Sequence, residues 1–129
     1  MDTATLVDER VDEGKRFLEH LCPSGFDVLV AFWVLASEDE RWYLYLASSV
    51  VDNGGLSAAY RKVYSELARS QVRWISRSDI KLIGCQNPIA VDAIAHQSDT
   101  FATVYRGRQL GNMIIEEAYI YPKRDVPGD

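Results

Sequence analysis

The sequence predicts an α+β domain: a two-layer sandwich in the order α-β-β-α-β-α-β-β, with three helices on one face of a mostly antiparallel five-stranded sheet. Three observations predict it. Apolar residues recur at helical spacing in two stretches, Val7 to Leu21 and Tyr60 to Leu67. Two segments rich in β-branched and aromatic residues, Phe26 to Ser49 and Thr100 to Tyr121, each divide at a polar run as hairpins do. Between them Asn87-Pro88 marks a helix start, because an asparagine caps free N–H groups and a proline has none to satisfy.

The elements follow in order. Val7, Val11, Gly14, Leu18 and Leu21 form one stripe of a first helix, with Thr5 and Asp8 spaced as a capping box. Gly14 lies in that stripe, where a missing side chain lets a neighbour approach closely. Pro23, Ser24 and Gly25 end the helix. Val28 to Ala36 and Trp42 to Ala47 are the strands of the first hairpin. With Ala36 opposite Trp42, the residues Leu29, Ala31, Trp33, Leu35, Tyr43 and Tyr45 share a face. A turn at Asp52 to Gly55 leads into a second helix, Leu56 to Ser70. A short strand, Ile80 to Cys85, and a third helix running to Gln97 come next. The second hairpin pairs Thr100 to Arg106 with Asn112 to Tyr121, and Pro122 stops it. Placing Arg106 opposite Asn112 puts Phe101, Tyr105, Glu117, Tyr119 and Tyr121 on one face.

Residues 1–129 make a single domain, with a loose tail expected at 123–129. A composition of 47% hydrophobic and 26% charged residues is that of a globular chain and argues against disorder. The acidic N-terminus lacks the basic flank of a signal peptide, and the longest apolar run is too short to span a bilayer, so no membrane association is expected. Cys22 and Cys85 are isolated, as in a reduced, cytoplasmic protein, and no metal or cofactor motif accompanies them.

The net charge of −5 argues against nucleic acid as a partner. The charge is nevertheless uneven. Residues 1–40 hold ten acidic and three basic residues, whereas residues 41–81 hold three and seven. Arg69, Arg73 and Arg77 beside Trp74 are a candidate strip for single-stranded nucleic acid, but the acidic first helix is a ready internal partner. Asp92, His96 and Asp99 share a helix ridge and read as a solvated face rather than a metal site.

The chemistry-bearing feature is aromatic. Trp33, Tyr43, Tyr45, Phe101, Tyr105, Tyr119 and Tyr121 are expected on one sheet face, and a tyrosine-rich second face needs a cover. Homodimers are the commonest form of self-cover, so the leading expectation is a small interaction or scaffold protein that dimerises through this face. The alternative is a ligand-binding protein or enzyme with a tyrosine-lined pocket around Glu117, where Arg106 and Arg108 hold an anionic group. Either Glu116 or Glu117 must point inward if the last strand alternates regularly, and a buried carboxylate needs a partner.

Overall fold

The computed structural model describes residues 8–37, 41–106 and 109–126. In chain order the elements are α1 (Asp8–Leu21), β1 (Val30–Ala36), β2 (Trp42–Ala47), α2 (Ser49–Gly54) and α3 (Leu56–Ser70), then β3 (Ile80–Ile83), α4 (Pro88–His96), β4 (Thr103–Arg106), β5 (Gln109–Leu110) and β6 (Met113–Ile120). The α+β class and the mostly antiparallel sheet are as the sequence predicts. The strand order is β3-β2-β1-β6-β4, with β5 also paired to β6. Only the β2–β3 pairing is parallel among the described strands. It has to be crossed over by α2 and α3, whereas hairpins suffice elsewhere.

The helices do not share one face. Along β1 the side chains of Ala31, Trp33 and Leu35 join a core with α1 and α3, while Val30, Phe32 and Val34 join a second core with α4. Successive strand residues point to opposite faces, so a strand apolar at every position needs a layer on each side. On the first side Phe17, Leu18 and Leu21 of α1 pack with Ala59, Val63 and Leu67 of α3. On the second, the small Ala90 and Ala93 let α4 lie close to the sheet.

Both hairpin registers differ from the expected ones. Leu35, not Ala36, lies opposite Trp42, and Arg106 lies opposite Glu117, not Asn112. The short β5 intervenes in the second hairpin and pairs with the start of β6. The β1–β6 register also shifts between Leu35 and Ala36. This bulge sends both Ile115 and Ala118 into the second core, three positions apart instead of two, and neither Glu116 nor Glu117 is buried. The forced choice between two carboxylates therefore disappears.

Two local features also differ. Asp52 to Gly54 close a short helix capped by Ser48, whose Oγ accepts from the Val50 N–H at 3.1 Å. Residues 123–126 are docked rather than loose: the N–H groups of Lys123 and Arg124 donate to the carbonyls of Ser98 and Asp99, and Val126 is buried in the first core. Residues 127–129 and the expected capping threonine, Thr5, lie outside the described residues. No helix among the described residues is long and apolar enough to cross a membrane.

Buried carboxylates tie the layers together. Glu13 of α1 accepts the backbone N–H groups of Arg73 at 2.9 Å and Trp74 at 2.6 Å. Glu66 of α3 meets His20 of α1 at 3.0 Å and Lys62 at 3.3 Å. Burial alone would raise the Glu66 pKa, but Lys62, with Arg69 and His20, holds it below the usual carboxylate range. Asp79 accepts from Arg41 at 2.9 Å and closes a capping box with Ser76. Here too burial opposes ionisation, and the hydrogen bonds from Arg41 and Ser76 with the Arg10 charge prevail, lowering the pKa.

A carboxylate with a depressed folded-state pKa contributes stability above its unfolded pKa and loses it as pH falls through the folded value. Asp79→Asn is therefore expected to lower stability by about 1–2 kcal/mol at neutral pH. The gap between variant and wild type should narrow below about pH 4, the unfolded Asp value. Urea denaturation across that range checks this, and a gap independent of pH would contradict it.

Candidate functional site

The seven aromatic side chains expected on one face are divided among three environments. Trp33, Tyr119 and Tyr121 lie with the first core, Tyr45 and Tyr105 lie with the second, whose side the half-buried Tyr43 shares, and Phe101 is exposed ahead of β4. The register explains the division. With Leu35 opposite Trp42, Tyr43 and Tyr45 face Val34 and Phe32 instead of neighbouring Trp33. Trp33 and Tyr121 are sealed inside the molecule and cannot form an interface. The Trp33 Nε1–H donates to Tyr121 Oη at 2.9 Å, and the Tyr121 hydroxyl donates to the Val11 carbonyl at 2.7 Å. Burial pushes the Tyr121 pKa well up, so this hydroxyl stays protonated.

Glu117 is half-buried and lies 3.8 Å from the Nε of Arg106, a neighbour across the β4–β6 ladder. Tyr105 lies under the ring of His96 with centroids 4.9 Å apart. Arg108 lies outside the described residues. Neither Glu117 nor Arg106 is among the described residues that line the cavity of this protein.

That cavity lies on the α4 side of the sheet. At nine residues α4 is roughly 13 Å long and packs on β1 and β5; on that side Ala47 of β2 and Ile83 of β3 still join the second core, while Tyr43 is only half-buried and Lys81 is exposed. The open space, about 530 Å³, is bounded by Tyr43 and Tyr45 of β2, Lys81 of β3, and Asn112, Met113 and Ile114 where β6 begins. Tyr45 stacks on Phe32 with ring centroids 5.4 Å apart, and its hydroxyl donates to the Met113 sulfur at 3.7 Å. The Lys81 ammonium and the Arg41 guanidinium each lie 5.0 Å from the centre of the Tyr43 ring. Ile114 is 69% exposed beside them.

The two outer strands of the sheet are finished differently. On β3 the Leu82 N–H donates to the hydroxyl of Tyr60 from α3 at 3.0 Å. A side chain thus occupies that edge, as natural sheets require of exposed edges. At the β4 rim Val104 is 51% exposed and Phe101, just ahead of the strand, 74%, with the exposed Arg106 at the strand's end. Val104 pairs with the half-buried Tyr119 on β6, so an apolar strip runs across the rim.

The remaining candidates make contacts within the chain. Arg69 lies 3.9 Å from Glu66, Arg77 stands over Tyr64, and the backbone of Arg73 is held by Glu13, so the acidic first helix meets the arginine block chiefly through main-chain donors. Asp92 bridges His96 at 3.2 Å and the Gly111 N–H at 2.8 Å, and Asp99 is not part of that contact. At the ends of β2 and β3, Asp27 accepts from the Ser49 hydroxyl and Asp52 from the Cys85 N–H. Burial and the nearby carboxylates raise the Cys85 pKa, which disfavours a thiolate. No three His, Cys, Asp or Glu side chains among the described residues are grouped to hold a metal ion.

Sequence reasoning did not single out Val104, Tyr60, Lys81 or Met113 as site residues. Only Lys81 had a local signal, the polar position in the alternating run Ile80-Lys81-Leu82. Compared with known protein families, curated proteins and solved structures, the chain matches none.

Proposed function

We propose that this chain is a small interaction protein that self-associates through the rim formed by β4. The observation that carries this reading is the asymmetry of the sheet edges: Tyr60 closes the β3 edge, while Val104 of β4 and Phe101 just ahead of it are exposed to solvent. An uncovered, apolar edge strand is a template for another strand. A second copy is the occupant we favour, because antiparallel strands pair self-complementarily about a two-fold axis.

Such an axis stands perpendicular to the sheet and keeps corresponding faces together, so the register must centre on a residue. Centred on Val104, the two valines meet directly, with Tyr119 of each copy beside them. Thr103 then faces the second copy's Tyr105. An edge of four residues buries less than the roughly 1,600 Å² of a standard interface, so a micromolar dimer is expected.

Sedimentation equilibrium should find a concentration-dependent dimer of the wild type. Val104→Lys, a charge on an exposed edge position, should weaken it about tenfold or more while leaving the circular dichroism unchanged. A wild-type monomer at roughly 100 μM, far above the expected micromolar Kd, or a dimer indifferent to Val104→Lys, would overturn the reading.

A further inference from the structure

The groove over β2 and β3 reaches only the start of β6, whereas β4 pairs with Glu117 to Ile120 farther along that strand, and no described residue of β4 lines the groove. We infer that it binds a small apolar carboxylate, with an aromatic or branched body packed on Tyr43, Tyr45 and Met113 and its carboxylate paired with Lys81. Its volume of about 530 Å³ falls within the range of small-molecule sites.

The apolar half of the argument is the wall. Tyr45 is held in place by its stack on Phe32, and Met113 offers an adaptable thioether opposite it. Ile114 extends the same surface outward. Rigid rings facing a deformable side chain suit an apolar body of varied shape. Immobilising that body costs little because the rings are already ordered.

The polar half is charge. Two cations flank Tyr43, but they differ in commitment. Arg41 donates to Ser78 and to Asp79, each at 2.9 Å, so its charge is matched by a buried carboxylate. Lys81 is exposed, stands over the ring, and forms no ion pair with any described residue. None of the described lining residues is acidic. An anionic group entering along the Tyr43 ring would therefore meet an ammonium whose only described contact is that ring. Asn112, which also lines the groove, supplies neutral donors for a second oxygen.

The test is an NMR titration of the intact protein with three matched probes: 3-phenylpropionate, 3-phenylpropionamide and 3-phenylpropylammonium. The carboxylate should shift the Met113 methyl and Tyr45 ring resonances saturably, in the millimolar range expected of so small a ligand. The amide should bind about fivefold more weakly, the scale of an exposed ion pair. Lys81→Gln, an exposed substitution, should bring the carboxylate down to the affinity of the amide. Equal affinities of acid and amide for the wild type would overturn the inference. Tightest binding of the ammonium would do the same, as would the absence of any shift at Met113 up to roughly 20 mM probe, where even an inefficient ligand of this size registers.

Discussion

Gly111→Ala is expected to destabilise the protein by about 3 kcal/mol, the largest effect anticipated for one added methyl group. Gly111 turns the chain from β5 into β6 with φ +60°, a left-handed conformation that costs an L-residue roughly 1 kcal/mol. The added carbon would also lie 2.6 Å from the Ile89 nitrogen and the Pro88 carbonyl carbon, in the first turn of α4. These are backbone atoms, which cannot swing aside as a side chain would. Relief requires the turn to lift from the helix, which breaks the 2.8 Å hydrogen bond from the Gly111 N–H to Asp92. A charge-assisted bond of this kind contributes about 1.5–3 kcal/mol.

The turn continues into Asn112, Met113 and Ile114, so the groove should widen as the protein weakens. Urea denaturation measures the loss of stability, with Gly54→Ala as the control, since a methyl at Gly54 meets nothing within 4 Å. A loss below about 1 kcal/mol would show that the turn and α4 separate without cost, contrary to the close packing expected of protein interiors.

Gly14→Ala should cost about 2 kcal/mol, and here the neighbour is a side chain. The new methyl would overlap the Tyr121 hydroxyl and come within 3.3 Å of Trp33 Nε1. Tyr121 is buried, and its hydroxyl both accepts from Trp33 and donates to Val11, so moving it breaks two hydrogen bonds. Alanine favours the helix by about 1 kcal/mol over glycine, which offsets only part of the cost. A double-mutant cycle separates these terms. Tyr121→Phe alone leaves the Trp33 N–H unpaired and removes a second donor from the Val11 carbonyl of α1, and is itself destabilising. In that background Gly14→Ala should cost less, because the overlapping oxygen is gone. Additive effects of the two substitutions would mean that the contact between them contributes nothing.

Much of the fold was legible because local chemistry and burial agree. The helical stripe of α1, the start of α4 at Asn87-Pro88 and the central strands β1 and β2 each combine a periodic pattern with a terminating residue. The helix expected over Leu56 to Ser70 has those bounds in the structure. Even the need for cover on both sheet faces was visible in the unbroken apolar run of β1. What that run could not reveal was how Trp42, Tyr43 and their neighbours would line up against it. When every position of a strand is apolar, a shift of one residue buries the same amount of grease.

The site was less legible for the same reason. Grouping seven aromatic residues depended on two registers, and a one-residue slip in the first hairpin placed Trp33 and Tyr43 on opposite sides. Glu117 drew attention because regular alternation forces one carboxylate inward, and a bulge removed the force. Tyr60 and Lys81 belong to β3 and its surroundings, which reach β2 only through a crossover of two helices. No spacing in the chain announces such a contact.

By itself, then, the sequence determined the class of fold, the order of the main elements and the presence of more aromatic surface than one core needs. Those properties follow from residue-by-residue preferences and short-range periodicity. Tertiary structure alone decided which face each tyrosine occupies, that α4 covers only part of the second face, and which sheet edge is closed. The physical reason is that register and edge capping are set by small differences among pairings that bury nearly equal apolar area. Contacts between residues distant in sequence, such as Tyr60 with Leu82 and Gly111 with the first turn of α4, settle those differences.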